Sequence, residues 1–118
     1  MNNELDVLRY WLSEWEADHR FYPSEDGGPP TIRWGREYRV VGESQECDEE
    51  ICAELRRKYR AAGYGVVTYV YPDGKAQVSL ARPVMSFSEY STEVMDTELS
   101  ATIAAGKSLM DALCGGGK

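Results

Sequence analysis

Apolar positions recur at helical spacing along the first part of the chain. Leu5, Leu8, Leu12, Trp15 and His19 fall on one stripe with Trp11 at its flank, while Glu4, Glu14 and Asp18 occupy the other side. The spacing predicts an amphipathic helix over 5–19. The run Pro23, Ser24, Glu25, Asp26, Gly27, Gly28, Pro29, Pro30 stops it, combining lost amide donors with glycine freedom and solvent-seeking charge. Over 31–42 the period changes to two: Ile32, Trp34, Tyr38 and Val40 read as one face, and Arg33, Glu37, Arg39 and Val41 as the other. Arg36 interrupts that alternation, which marks an edge, a bulge or two short strands around Gly35.

A second helical stripe begins near Ser44 or Gln45 and runs through Ile51, Leu55, Tyr59 and Ala62, with Cys52 beside it. Its opening turns carry Glu46, Asp48, Glu49 and Glu50, and its end carries Arg56, Arg57, Lys58 and Arg60. That polarity matches the helix dipole, and Gly63 or Gly65 supplies the stop. Two β-prone runs follow, 66–71 and 76–81, enclosing the turn formers Pro72, Asp73, Gly74 and Lys75, so a hairpin is expected. Its first strand does not separate cleanly into polar and apolar sets, consistent with two covered faces or with one exposed contact face. Arg82 and Pro83 end it. After a Ser/Thr-rich passage, Met95, Leu99, Ile103, Gly106, Met110 and Leu113 predict a last helix over about 93–113, capped by Thr92 or Thr97.

These elements describe an α+β domain. One small antiparallel sheet of about three strands packs against two or three helices in the order α-β-α-β-β-α, hiding Ile32, Trp34, Tyr38 and Val40 beneath the helix faces. Residues 1–114 form a single compact domain and 115–118 a flexible tail. Composition tests this picture from another side. The branched aliphatics and phenylalanine number 22 of 118 residues, few for a globular chain, but eight tyrosines and three tryptophans supply the missing burial area.

Charge changes the picture more. The net value of -7 is uneven: residues 1–30 carry -5, 31–42 carry +2, 43–58 carry -3, 59–82 carry +2 and 83–118 carry -3. An acidic total disfavours whole-surface binding to nucleic acid or anionic membrane, and leaves free nucleic acid only a local basic patch. No apolar run reaches about 18 residues and the start has no signal-peptide pattern, so a cytoplasmic protein without a membrane partner is expected. Cys47, Cys52 and Cys114 lack metal-site or redox spacing and read as reduced thiols; no cofactor or metal is implied.

The candidate chemistry is therefore recognition. Tyr10 points away from the first helical stripe, Tyr69 and Tyr71 lie on the hairpin, and Arg36 and Arg39 lie in the locally basic β region. These five are the expected partner-binding residues, since aromatic rings give contact area at low rotamer cost and arginines add directed charge. The expected function is non-catalytic protein–protein recognition by a small regulator or inhibitor of a prokaryotic or phage-related system, with homodimerisation through a sheet edge or face as a further use of the sheet. Three alternatives stand beside it. Helical carboxylates that imitate phosphate spacing would make the chain an acidic mimic of nucleic acid, blocking a basic protein surface. Arg33, Arg36 and Arg39, or Arg56, Arg57 and Arg60, would make a nucleic-acid-binding track if continuous. A small enzyme would centre on His19, near Asp18, Arg20 and Tyr22 in sequence, although adjacent helical positions diverge rather than converge on a reacting atom.

Overall fold

A computed structural model of the chain describes residues 4–15, 19–24, 28–82 and 90–114, with the backbone alone described at Trp34 and Cys114. The element order is α1 (Glu4–Trp11), β1 (Phe21–Tyr22), β2 (Thr31–Trp34), β3 (Glu37–Val40), α2 (Gln45–Ala61), β4 (Gly65–Val70), β5 (Ala76–Ala81), β6 (Tyr90–Ser91) and α3 (Glu98–Cys114). The α+β class holds, but the strands form two antiparallel three-stranded sheets, β1-β2-β3 and β4-β5-β6, rather than one. Each hairpin recruits a two-residue strand from the chain beside it, and so small a strand leaves no periodicity in sequence. The element order α-β-α-β-β-α is corrected accordingly.

The first helix ends at Trp11 instead of reaching His19. Leu12–Glu14 form a turn, and the His19 amide donates to the Trp15 carbonyl at 2.7 Å. The reason is that the two tryptophans pack in different places. The Trp11 indole N–H donates to the Gly106 carbonyl in α3 at 2.9 Å, whereas Trp15 stacks edge-on against His19 and lies 6.5 Å from the Phe21 ring. Residues Glu16, Ala17 and Asp18 of the expected helix lie outside the described residues.

Over 31–42 the chain forms two short strands around Gly35, the third of the three readings that Arg36 allowed. Gly35 has φ of 67° and is followed by Arg36 with negative φ, the pattern of a II′ turn, whose twist suits a two-residue hairpin. Reversal at this turn re-pairs the faces. Ile32 lies opposite Arg39 and Arg33 opposite Tyr38, so Tyr38 shares its face with Arg33 rather than with Ile32. Ile32 is fully buried as expected. Tyr38 is 66% exposed, Val40 is half-buried and Val41 is buried instead, which corrects the expected core face. The expected burial of Trp34 lies outside the described side chains.

In α2, Cys47, Ile51, Cys52, Leu55 and Tyr59 form the buried stripe, and Ala62 caps the end in solvent. α3 begins at Glu98, five residues later than about 93, because Thr97 is its cap: the Thr97 hydroxyl accepts the Ser100 amide at 3.0 Å. Thr92 serves the sheet instead, its Oγ1 accepting the Val78 amide at 3.1 Å. α3 packs against α1, α2 and β5, and one continuous core runs from Val7, Leu8 and Phe21 through Ile32, Ile51 and Leu55 to Val78, Leu80, Ile103 and Leu109. The segment expected as a tail, 115–118, lies outside the described residues. No helix among the described residues is long and apolar enough to cross a membrane.

Candidate functional site

Among the described residues, the β4–β5 hairpin brings together four exposed large hydrophobic side chains, Val67, Tyr69, Val70 and Tyr71. Its turn is fixed by two bonds, Gly74 N to Tyr71 O at 2.9 Å and Tyr71 N to Lys75 O at 2.8 Å, with Gly74 at φ 90°. The resulting register pairs Val66 with Leu80, Thr68 with Val78 and Val70 with Ala76 on the inner face, and Val67 with Ser79 and Tyr69 with Gln77 on the outer one. Ala76, Val78 and Leu80 are buried beneath α3, which anchors the inner face. The outer face presents Val67 at 49% exposure and Tyr69 at 52%, with Tyr71 exposed at the turn. The failure of β4 to alternate polar with apolar is thereby explained, since apolar side chains stand on both faces: Val66 half-buried on the inner one, Val67 and Tyr69 toward solvent on the outer one, and Val70 exposed where the inner face ends at the turn.

Polar groups stiffen this outer face. The Gln77 amide donates to the Thr92 carbonyl at 2.8 Å, and its Oε1 accepts the Tyr71 hydroxyl at 3.4 Å. Ser79 and Ser91 join their hydroxyls at 3.0 Å across β5 and β6. Tyr71 is thereby tied through Gln77 to the β6 side of the sheet, and Tyr69 stands opposite Gln77 on the same face. Tyr69 and Tyr71 are exposed on one face of the hairpin. Val67 and Gln77 were not singled out in the sequence, because their place beside the tyrosines depends on register.

The other expected contacts lie elsewhere. Tyr10 is exposed on α1 with its ring edge-on to Trp11 at 5.1 Å. Arg36 is exposed in the β2–β3 turn, on the other sheet from the tyrosines. Arg39, also on that sheet, is held by Glu37 at 2.9 Å, by the Ser44 hydroxyl at 3.4 Å and by Glu46 at 3.8 Å. Its charge is largely answered at home. The five residues therefore sit on three separate elements or sheets, and only Tyr69 and Tyr71 share a face.

Similar pairing breaks up the basic runs. Arg56 meets Glu98 of α3 at 2.7 Å, Arg57 meets Glu54, and Lys58 meets Glu14 at 2.9 Å. A nucleic-acid track built on Arg56, Arg57 and Arg60 would have to break these bonds first. His19 is half-buried with its ring edge-on to Trp15 at 4.9 Å. Burial pushes the thiols of Cys47 and Cys52 up to about 11, which keeps both protonated and poorly nucleophilic near neutral pH. Among the described residues no three His, Cys, Asp or Glu side chains converge as a metal site.

One feature arises only from the fold. The start of α2, the tip of the β4–β5 hairpin and the start of α3 enclose a cleft of about 510 Å³, lined by Glu43, Asp48, Glu49 and Glu98 among others. Burial raises the pKa of Asp48, against which its hydrogen bond from the Gly42 amide at 2.9 Å works in the opposite direction. Compared with family models, with curated proteins and with solved structures, the chain matches none.

Proposed function

We propose that this chain is a non-catalytic protein-recognition domain, a small regulator or inhibitor, and that the outer face of β4–β5 is its partner-binding surface. The observation that carries the reading is the Val67–Tyr69–Tyr71 stripe, exposed on a hairpin whose opposite face is locked onto α3. Exposed aromatics on a rigid support are the residues that anchor interfaces, because they desolvate a large area with few torsions to freeze. Lys75 at the turn adds a positive rim to this apolar patch. Tyr10, Arg36 and Arg39 then act as secondary contacts for a partner broad enough to reach past the hairpin.

The test is comparative capture from native cell extract, followed by reconstitution with the purified candidate. Tyr69→Ser combined with Tyr71→Ser is expected to lower affinity for the recovered partner at least tenfold while leaving the thermal melt near wild type. Equal affinity in the double variant overturns the assignment. So does recovery of no reproducible partner by the unaltered chain.

The acidic cleft favours one second reading. Glu43, Asp48 and Glu49 at the start of α2 give a basic protein surface a concave negative counterpart, in line with an acidic mimic. That reading predicts a partner whose binding weakens steeply with salt and is lost on Glu43→Gln with Glu49→Gln, with the hairpin tyrosines indifferent.

A further inference from the structure

Sheet edges expose unpaired backbone groups, and the four edges of this fold are unequal. β1 and β6 are two residues long, and β3 carries Glu37 and Arg39. β4 is six residues long, Gly-Val-Val-Thr-Tyr-Val, with no charge and no proline, and among the described residues it is hydrogen-bonded to β5 alone. Shortness, charge and proline, three devices that blunt an edge, are all absent from it.

The direction of its backbone groups follows from the turn. Tyr71 donates to Lys75 across the hairpin, so every second pair from there, Tyr69 with Gln77 and Val67 with Ser79, is hydrogen-bonded within it. The pairs between them point their amides and carbonyls away. On β5 this is visible directly, since Ala76 exchanges bonds with Met95 at 2.7 and 2.9 Å and the Val78 carbonyl accepts the Thr92 amide at 3.0 Å, all on the side away from β4. Their partners Val66, Thr68 and Val70 consequently aim their backbone groups at the open edge.

We propose that β4 pairs antiparallel with β4 of a second copy, centred on Thr68, joining two sheets into one of six strands. Of the two-fold registers, only this one uses all three outward residues of both copies: Thr68 opposite Thr68, and Val66 opposite Val70 twice. It also sets Val67 against Tyr69 on the outer face, an aromatic–β-branched pair of the kind that stabilises sheets. Charge agrees with self-pairing. Two chains of net charge -7 repel broadly, but the paired strands are neutral, and the register brings Asp73 of each hairpin tip beside Gly63 of the other copy, at the end of α2 where the exposed Arg60 lies. Self-pairing of β4 needs only the purified chain and no other partner.

A six-residue edge buries less than the roughly 1,200 Å² of a stable interface, so the dimer is reversible and concentration-dependent. Sedimentation equilibrium should show the mass rising above 13.3 kDa as the chain is concentrated. Amide exchange by NMR on the unaltered chain gives the sharper reading. Val66, Thr68 and Val70 should exchange fast when dilute and at least tenfold slower when concentrated, while Val67 and Tyr69 stay protected throughout. Val70→Lys, at a position 60% exposed in the single chain, should weaken association at least tenfold. A mass fixed at one chain up to about 1 mM overturns the proposal. Slow exchange at all three amides in dilute solution overturns it as well, as does protection that is independent of concentration or an undiminished dimer in a folded Val70→Lys variant. If that variant does not fold, exchange on the unaltered chain decides alone.

Discussion

Gly106 lies where α3 passes closest to the rest of the core, between the Tyr59 ring of α2 and the Trp11 indole of α1. A Cβ built there overlaps the Tyr59 hydroxyl and stands 3.2 Å from Trp11 Cδ1. Gly106→Ala should therefore destabilise the fold by about 1–3 kcal/mol, read from the urea midpoint, even though alanine is the better helix former. An unchanged midpoint would mean that Tyr59 moves aside at no cost. Tyr59 itself donates its hydroxyl to the Thr102 carbonyl at 2.7 Å, inside the same core. The sequence placed Gly106 on the apolar stripe of the last helix. It could not say which side chain makes the approach, because that neighbour lies 47 positions away and reaches it through the packing of α2 on α3. The same holds for Cys47 and Cys52, whose lack of metal spacing was legible but whose burial was not. A thiol reagent at pH 8 should leave both unmodified in the native chain and label them once urea unfolds it.

At the scale of elements, the helix faces were readable and the ends less so. The α2 stripe of Ile51, Cys52, Leu55 and Tyr59 is buried as expected, since a period of 3.6 is a local property that packing only has to accept. The start of α3 was open between two threonines, and the structure gives each a different task. Thr97→Ala should cost about 1 kcal/mol through the lost cap, measured by chemical denaturation. Thr92→Ala should instead raise amide exchange at Val78 in β5, with exchange in α3 unchanged. Strand faces were the weaker part of the reading. Tyr38 was expected beneath the helices because it continued the alternation from Ile32, but alternation is not carried through a reversal: the turn at Gly35 decides which residues stand opposite, and pairing decides which share a face. The hairpin at Pro72–Lys75 was located correctly because turn chemistry is local. Its two faces were not resolved, because β4 is apolar on both and only the position of α3 distinguishes them.

For the whole molecule, two sheets on one continuous core make a specific thermodynamic statement. Far-UV circular dichroism, which reports all the helices and strands, should melt together with tryptophan fluorescence, in which Trp11 and Trp15 report the side of the fold near β1. Two separated transitions would show the sheets to be independent units. Alkaline pH should weaken the fold in a defined window. The buried thiols ionise near 11 when folded and near their ordinary value of 9.0 when unfolded, so the stability gained by keeping them neutral is complete below pH 9 and drains away as pH rises to about 11. Urea midpoints across that range should fall, and the fall should be shallower in Cys47→Ala with Cys52→Ala. By itself the sequence determined the α+β class, the apolar faces of the helices, the hairpin turn at Pro72–Lys75 and the uneven distribution of charge, all of which follow from interactions between near neighbours along the chain. Tertiary structure alone decided that there are two sheets, that Tyr38 faces solvent, that most basic side chains of α2 are answered by carboxylates, and that β4 is left as an open, uncharged edge. The physical reason is common to all four: strand register, ion pairing across elements and edge exposure depend on which distant segments meet, and the pattern of apolar and polar positions is equally satisfied by several such meetings.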